Sequence, residues 1–227
     1  KGIKLYVDNT FSPLSISPQV HGADVVLHSL TKYINGSSDA MGGVMCATEE
    51  FINATKDVNT GANMLIGASM DAMRAASILK NLRTLPIRVQ QHSRNGQYLA
   101  EAFENAGVRT IYPGLESHPD HELYKSMMHP DFGFGGMLTI DAKTQENADA
   151  FMEKMQDLKL GYLAVSLGFY KTLFSAPGAS TSSEIPMDEQ EEMGLSRGLI
   201  RISIGLDHNI QDTTEKMLAC LKELKVI

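Results

Sequence analysis

The chain has 227 residues, of which 43% are hydrophobic and 21% charged, and its formal net charge at pH 7 is −7. This is ordinary globular composition, sufficient for one large domain or two smaller ones. No stretch approaches the roughly 18 consecutive apolar residues of a membrane span, and Lys and Arg form no run of the kind that binds nucleic acid. We therefore expect neither a membrane nor a nucleic-acid partner.

The two cysteines, Cys46 and Cys220, lie far apart in the sequence. A disulfide framework is improbable with this spacing, and a reducing cytoplasm is the expected compartment. The chain begins at Lys1 and enters a strand-like run almost at once, IKLYVDNTF, without a cap or turn before it. We expect these residues to be the later portion of a longer protein.

The first third of the chain predicts strands followed by helices. Residues 3–7 form an apolar strand that stops at Asp8, and after a Pro- and Ser-bearing loop the runs ADVVLHS (23–29) and GGVMCAT (42–48) predict two more strands. From residue 69 to 104 apolar residues recur at helical spacing, with an interruption at Pro86. This stretch predicts two successive helices, the second ending at Gly107.

The remainder alternates strands and helices. GGMLTIDA (135–142), LAVSLG (163–168) and LIRISIGL (199–206) predict strands, while residues 146–158 and 209–225 predict amphipathic helices. A compact α/β domain, with a smaller sheet covered on one face, would give this order. We place the domain boundary near residue 80, which divides the chain into residues 1–80 and 81–227.

Lys32 follows the second strand among hydroxyl side chains. The pKa of a free lysine is about 10.4, so its amine must be desolvated, or lie near another cation, before it can form a Schiff base with an aldehyde. Ser29 and Thr31 lie close to it in the sequence and carry hydroxyls suited to phosphate oxygens. If the sheet is parallel, Asp8 and this turn lie on the same rim, beyond the carboxyl ends of the strands.

A lysine, a carboxylate and phosphate-binding hydroxyls are the groups that bind pyridoxal 5'-phosphate. A solvent-exposed lysine after a strand is also common, and these residues alone leave that interpretation open.

Six motifs extend over essentially the whole chain: VDNTFSP, GADVVLHSLTKYINGSSD, LRTLPIRVQQH, YPGLESHPDH, SLGFYKTLFSAPG and GLIRISIGLD. In order and spacing they resemble the Cys/Met-metabolism enzymes of the pyridoxal-phosphate fold type I class, which include cystathionine γ-synthase, cystathionine lyase and methionine γ-lyase. The resemblance implies part of a large cofactor domain, with a mainly parallel sheet, in residues 1–80, and a C-terminal small α/β domain in residues 81–227.

The resemblance also implies roles around the cofactor. Lys32 matches the Schiff-base lysine, which afterwards moves protons. Asp8 matches the carboxylate that keeps the pyridine nitrogen protonated, so that the ring can accept electrons. Thr10 matches a residue beside the ring, and the hydroxyls of Ser29 and Thr31 match the phosphate ligands.

A second set of residues matches the substrate pocket. Ser166 and Arg201 match the pair that receives the amino-acid carboxylate, for which the planar fork of arginine is suited. Alternation in LIRISIGL places Arg201 and Ser203 on one side of a strand. Thr181 matches a threonine near the same pocket. Without the motif, an arginine in a strand is more often a surface or ion-paired residue.

Departures from the family pattern concern specificity. Ser37 and Ser38 stand where histidine or glycine is usual, Ser182 replaces the histidine of a threonine-histidine pair, and SMDAMRA lacks a usual proline. His118 and His121 have metal-ligand spacing, but no cysteine or carboxylate cluster completes a shell, so we expect no metal.

The expected activity is β- or γ-elimination, or γ-replacement, on a sulfur amino acid or an activated homoserine. The resemblance further implies a homo-oligomer, a tetramer built as a dimer of dimers, and additional cofactor contacts upstream of these residues. The alternative is a non-catalytic or incomplete chain that retains the lysine but cannot hold the cofactor alone. An aminotransferase of the same fold class is less well matched by the motifs.

Overall fold

The computed structural model of the protein describes residues 2–178 and 184–227. Its first sheet contains β1 (Tyr6–Asp8), β2 (Val25–Ser29) and β3 (Gly43–Cys46). Strand β1 runs parallel to β2, with Asp8 beside Leu27, whereas β3 runs antiparallel to β2. The three predicted strands are confirmed, and this part of the sheet is mixed because β3 returns directly beside β2.

Two short helices flank β2. A 3-10 helix, Pro18–His21, precedes the strand and ends at Gly22, whose φ of 93° is the left-handed conformation that glycine adopts readily. A π-helix, Leu30–Ile34, follows the strand without a connecting loop. Lys32 therefore projects from a turn placed directly at the carboxyl end of β2.

Four α-helices follow: α1 (Glu49–Thr55), α2 (Ala62–Ile66), α3 (Ala72–Leu82) and α4 (Leu85–Asn105). The hydroxyl of Thr48 caps α1 and the carboxylate of Asp71 caps α3, each accepting from a first-turn N–H. Helices α3 and α4 confirm the predicted pair. The break lies at residues 83–84, and Pro86 stands in the first turn of α4, where its missing N–H costs no hydrogen bond.

The rest of the chain forms a second, five-stranded sheet of β4 (Thr110–Ile111), β5 (Met137–Asp141), β6 (Tyr162–Leu163), β7 (Leu173–Ser175) and β8 (Leu199–Ser203). The strand order is β4-β5-β8-β7-β6. Only the pair β6–β7 is parallel among its neighbouring strands. Among the described residues, four helices alternate with these strands. They are α5 (His121–Met127) after β4, α6 (Gln145–Asp157) after β5, α7 (Met187–Glu192) after β7 and α8 (Ile210–Glu223) after β8.

The strand predicted for residues 163–168 is wrong. Only Leu163 of this segment belongs to a strand, and the next strand in the sheet is β7, which sequence periodicity did not predict. Gly168 has a φ of 69°, and its N–H donates a hydrogen bond to Ser203 Oγ at 3.0 Å. Residues 164–168 therefore leave the sheet as an extended loop, and this loop reaches the π-helix.

The main hydrophobic core lies between the second sheet and helices α4, α6 and α8. Phe103 on α4, Phe151 on α6, Ile200 on β8 and Met217 on α8 are all fully buried. Burial of a side chain of this size contributes roughly 1.5–3 kcal/mol. This packing holds β8, and with it Arg201, in a fixed position.

A second, smaller apolar cluster lies beneath the π-helix. It joins Tyr33 and Ile34 of that helix to Ile78 on α3, Val89 on α4 and Leu167 of the extended loop. The cluster thus connects residues on both sides of position 80. The domain boundary at that position stays a prediction.

Helices α2 and α3 present large apolar side chains to solvent. Leu65, Ile66, Met73 and Leu79 are all more than half exposed, so the apolar spacing that predicted α3 does not correspond to a buried face. Among the helices in the described part of the chain, none is long and apolar enough to cross a membrane.

Candidate active site

The Lys32 amine lies next to a residue from the distant extended loop. Its Nζ donates a hydrogen bond to Ser166 Oγ at 2.8 Å. Partial burial lowers the pKa of the Lys32 amine, and the nearby positive charge of Arg201 lowers it further. Both effects favour the neutral amine, which is the nucleophilic form of lysine.

Arg201 approaches the same loop from β8. Its Nη2 lies 3.4 Å from the backbone carbonyl of Ser166, and Ser203 Oγ on the same strand accepts a hydrogen bond from Gly168 N. Both side chains therefore contact the extended loop, as strand alternation predicts. Burial lowers the pKa of the Arg201 guanidinium, and no ion pair to a carboxylate is found for it in the described residues. A half-buried arginine of this kind can bind a carboxylate ligand.

Asp8 is held ionised by Thr10. Asp8 Oδ1 accepts from the Thr10 hydroxyl at 2.6 Å and from Thr10 N at 3.0 Å. The side-chain bond is the larger cause and the backbone bond the next, and together they lower the pKa of the Asp8 carboxyl against the opposing effect of burial. The His28 charge adds a minor lowering effect.

Thr10 also connects the ends of the two parallel strands. Its Oγ1 accepts from Ser29 N at 2.7 Å while donating to Asp8. Because β1 and β2 are parallel, Asp8 and Ser29 lie at the same edge of the sheet. The structure therefore brings Asp8 and Thr10 to the edge from which the Lys32 turn begins, as the sequence predicts.

The hydroxyls of Ser29 and Thr31 are less fully defined. Thr31 Oγ1 accepts from Gly42 N at 3.2 Å, which leaves its proton available to an acceptor. Ser29 is bonded through its backbone, and its hydroxyl has no hydrogen bond within residues 2–178 and 184–227. Thr181, the remaining predicted substrate residue, lies outside the described residues.

These groups fit pyridoxal phosphate by their chemistry. Lys32 offers a partly desolvated amine, Asp8 a carboxylate held in its charged form, and Ser29 and Thr31 offer hydroxyl protons for phosphate oxygens. The amine can react with the aldehyde of this cofactor, the carboxylate can pair with its pyridinium nitrogen, and the hydroxyls can donate to its phosphate. Thr10 contributes by fixing the Asp8 charge.

An apolar groove of about 610 Å³ lies elsewhere, against β2 and α3. Its walls include Val26, His28, Met70 and Ile78, and they include none of the residues that surround the Lys32 amine. The groove is therefore separate from the candidate site.

Sequence reasoning missed two residues that shape the Lys32 turn. Arg88 bonds backbone carbonyls of the turn, and Gly168 packs against its backbone. Both lie within the quoted motifs LRTLPIRVQQH and SLGFYKTLFSAPG, yet nothing in their local spacing indicates a contact with residues more than 50 positions away.

The family model described as Cys/Met metabolism PLP-dependent enzyme matches residues 1–222. The chain belongs to this family. The resemblance found in the motifs is confirmed, and pyridoxal phosphate is the cofactor of this Cys/Met-metabolism family. The expected fold class is confirmed as well, because solved structures of this family align with nearly the whole chain.

Two curated relatives illustrate the similarity. The chain is 43% identical to methionine gamma-lyase of Arabidopsis thaliana over 206 residues, which cover 90% of this chain and 47% of the relative. It is 36% identical to cystathionine gamma-lyase of Bacillus subtilis (strain 168) over 227 residues, covering 98% of this chain and 57% of the relative. The chain spans about half the length of the curated relatives it matches.

Solved structures of the same family superpose closely. Cystathionine gamma synthase from Xanthomonas oryzae pv. oryzae, in complex with aminoacrylate and cysteine, aligns with a TM-score of 0.87 at 32% identity, covering 99% of this chain and 56% of that one. CalE6, a cystathione gamma lyase from Micromonospora echinospora, aligns with a TM-score of 0.86 at 28% identity, covering 97% and 56%.

Proposed function

We propose that the whole protein is a PLP-dependent carbon-sulfur lyase or γ-synthase. It would catalyse β- or γ-elimination, or γ-replacement, on a sulfur amino acid or an activated homoserine. The observation that carries this proposal is the contact of the Lys32 amine with Ser166, whose backbone carbonyl lies 3.4 Å from Arg201 Nη2. Membership of the Cys/Met-metabolism family supports it.

Lys32 would bind the cofactor aldehyde and then accept and return a proton at the substrate Cα. The cofactor, when bound, supplies an electron sink for the negative charge left at Cα. The lowered pKa of Lys32 supports its role as a base, because a base must be unprotonated before it can accept a proton. The hydrogen bond to Ser166 keeps the amine directed into the site while it is free.

Asp8 would hold the ring nitrogen of the cofactor, and Ser29 and Thr31 its phosphate. A carboxylate opposite the ring nitrogen keeps that nitrogen protonated, and Thr10 supports this function because its bond lowers the pKa of Asp8. The charge of Asp8 is therefore present over a wide pH range.

Arg201 and Ser166 would bind the substrate carboxylate, with Thr181 near the same pocket. The planar guanidinium can hold a carboxylate through two parallel hydrogen bonds and so orient the Cα proton. Arg201 sits on a rigid strand and has no carboxylate partner in the described residues, which supports this assignment.

The choice between lyase and synthase stays open, since the relatives include methionine and cystathionine gamma-lyases and the solved structures include a gamma synthase. The same comparisons do not favour the alternative of a non-catalytic chain. We further propose a homo-oligomer, as a tetramer of two dimers, in the cytoplasm. The exposed apolar side chains of α2 and α3 support association with other polypeptide surface.

The proposal is tested with the full-length protein purified in the presence of pyridoxal phosphate. The protein is mixed separately with L-methionine, L-cystathionine and O-acetylhomoserine, and 2-oxo acid and thiol are measured. Product from at least one substrate, abolished by Lys32→Ala and retained by the exposed control Lys56→Ala, is the expected result. Turnover that survives Lys32→Ala would refute the assignment.

A further inference from the structure

The turn that carries Lys32 is not a continuous helix. Lys32 has φ −89° and ψ −127°, which departs from the helical path inside the π-helix. Within the turn, Asn35 N bonds the Leu30 carbonyl and Gly36 N bonds the Lys32 carbonyl. Because the helix is interrupted at the lysine itself, contacts from outside the turn are needed to fix where its side chain points.

Arg88, on the first turns of α4, supplies such contacts. Its Nη1 donates to the Tyr33 carbonyl at 2.5 Å and its Nη2 donates to the Ile34 carbonyl at 2.9 Å. These are the two carbonyls that directly follow Lys32 in the turn. The planar fork of an arginine can satisfy both together, which the single ammonium of a lysine cannot do with the same geometry.

The same guanidinium is anchored at the junction of α3 and α4. Arg88 Nε donates to Thr84 Oγ1 at 3.0 Å, and Nη2 also donates to the Asn81 carbonyl at 3.1 Å. No carboxylate forms an ion pair with Arg88 within the part of the chain that the structure describes. Its hydrogen-bonding capacity is therefore directed to the backbone of the Lys32 turn and of the helix junction.

The backbone around the turn leaves room for this contact. Gly36, whose φ is 72°, lies so close to Arg88 that a Cβ at this position would overlap Nη1. On the other side of the turn, a Cβ at Gly168 would lie 2.5 Å from Tyr33 N. The Lys32 turn is thus held between the Arg88 guanidinium and the extended loop that also carries Ser166.

We propose that Arg88 is a positioning residue for Lys32: by bonding the carbonyls of Tyr33 and Ile34, it fixes the turn so that the Lys32 amine points towards Ser166. Arg88 touches neither the amine nor Ser166 and acts through the backbone alone. The inference rests on the proposed function of Lys32. It predicts that removing the Arg88 guanidinium lowers the reactivity of Lys32 and does not only lower the stability of the fold.

The test uses full-length Arg88→Met and Arg88→Lys variants, with Arg74→Met as the matched control. Arg74 also donates to a backbone carbonyl, that of Met41, but lies on α3 at a point exposed to solvent. Four quantities are measured: the thermal midpoint of the apoprotein, the rate at which pyridoxal phosphate becomes attached to Lys32, kcat and KM. Attachment is trapped with borohydride and assigned to Lys32 by mass spectrometry.

In Arg88→Met we expect the attachment rate and kcat each to fall by about tenfold to a hundredfold, the loss typical of a misplaced reactive group. KM should change by less than about threefold, because substrate binding is not removed. Arg88→Lys should give a smaller loss of the same kind, and Arg74→Met should behave as the unmodified protein.

A lowered thermal midpoint with an unchanged attachment rate and kcat in Arg88→Met would assign Arg88 a structural role only and overturn the inference. If Arg88→Met does not fold, Arg88→Lys decides: an unchanged attachment rate in that variant overturns the inference, and a reduced rate supports it. Failure of the unmodified protein to attach the cofactor at Lys32 is a different result, which would overturn the proposed function and the role of Arg88 with it.

Discussion

Lys32 and Ser166 are 134 positions apart in the sequence, yet Lys32 Nζ donates to Ser166 Oγ at 2.8 Å. One residue lies in a π-helix after β2, and the other lies in the extended loop after β6. The loop leaves the second sheet and packs through Leu167 against Tyr33 and Ile34. A partly buried amine from the first sheet's segment therefore lies beside a hydroxyl from the second sheet's segment.

The first prediction concerns the covalent role of Lys32. Lys32→Arg keeps a positive charge but removes a nucleophile that can become neutral near pH 7, because the arginine pKa is too high. We expect the near-visible absorbance of attached cofactor to vanish and kcat to fall by about 10²-fold or more. Absorbance spectroscopy with borohydride trapping measures this, and Lys56→Arg is the exposed control. A normal spectrum in Lys32→Arg would contradict the assignment.

The second prediction concerns the bond between Thr10 and Asp8. Thr10→Val removes the hydroxyl that most lowers the Asp8 pKa, so that pKa should rise. The Asp8 charge is then lost at a higher pH on acidification, and the acid limb of the kcat/KM profile should move towards higher pH. Thr10→Ser keeps the hydroxyl and is the matched control. Identical acid limbs in Thr10→Val and Thr10→Ser would show that the bond does not govern the charge.

The third prediction concerns Arg201 as a carboxylate ligand. Arg201→Lys loses the bidentate fork, and since hydrogen bonds to charged groups contribute about 1.5–3 kcal/mol, KM should rise by roughly tenfold to a hundredfold. Arg109→Lys is the control, because Arg109 is an exposed arginine that already forms an ion pair with Asp141 at 3.1 Å. Steady-state kinetics and cofactor titration measure the two affinities. Equal losses of substrate and cofactor affinity in Arg201→Lys would count against a role in substrate binding.

The fourth prediction concerns His92, which lies on α4 and is 1% exposed. Its Nδ1 lies 2.7 Å from the Ile204 carbonyl, and burial lowers the pKa of the imidazole to about 4 from 6.5. Between these two pH values the unfolded chain binds a proton at His92 that the folded chain does not. The free energy of unfolding should therefore fall as pH drops from 6.5 towards 4, by about 1.4 kcal/mol per pH unit, and this loss should level off below pH 4.

Urea unfolding at a series of pH values measures this slope. His92→Gln removes the titrating group while keeping an amide that can donate, so the same acidification should cost the variant less stability than the unmodified protein. His21→Gln, at an exposed position, is the control and should retain the full slope. A variant His92→Gln with the unmodified slope would show that another group is responsible.

Much of the fold could be predicted from the sequence. Strands β1, β2 and β3, the helix pair α3–α4, and helices α6 and α8 were predicted from apolar periodicity. Helices α4, α6 and α8 each bury the apolar face that predicted them, whereas α3 buries only Ile78. Short elements such as β7, α1 and α2 were missed because a few residues carry too little periodicity. The predicted strand at 163–168 was wrong because Leu167 packs against the π-helix and not within a sheet, while Val165 is exposed.

Only part of the candidate site could be found from local sequence. Asp8, Ser29, Thr31 and Lys32 lie within 25 positions of one another, so their local arrangement suggested a cofactor site, while Thr10 was added through family resemblance. Ser166 and Arg201 were proposed through family resemblance, and the structure then placed both beside Lys32. Their catalytic roles stay predictions, as does that of Thr181.

The sequence by itself determined the family, the cofactor chemistry and the residue types of the site, because these depend on motifs that are contiguous in the chain. Tertiary structure alone decided how the Lys32 amine is held. The Arg88 fork, the close approach of Gly168 and the contact with Ser166 join segments more than 50 positions apart. Such contacts depend on how helices and sheets pack, and no local pattern of residues encodes that packing.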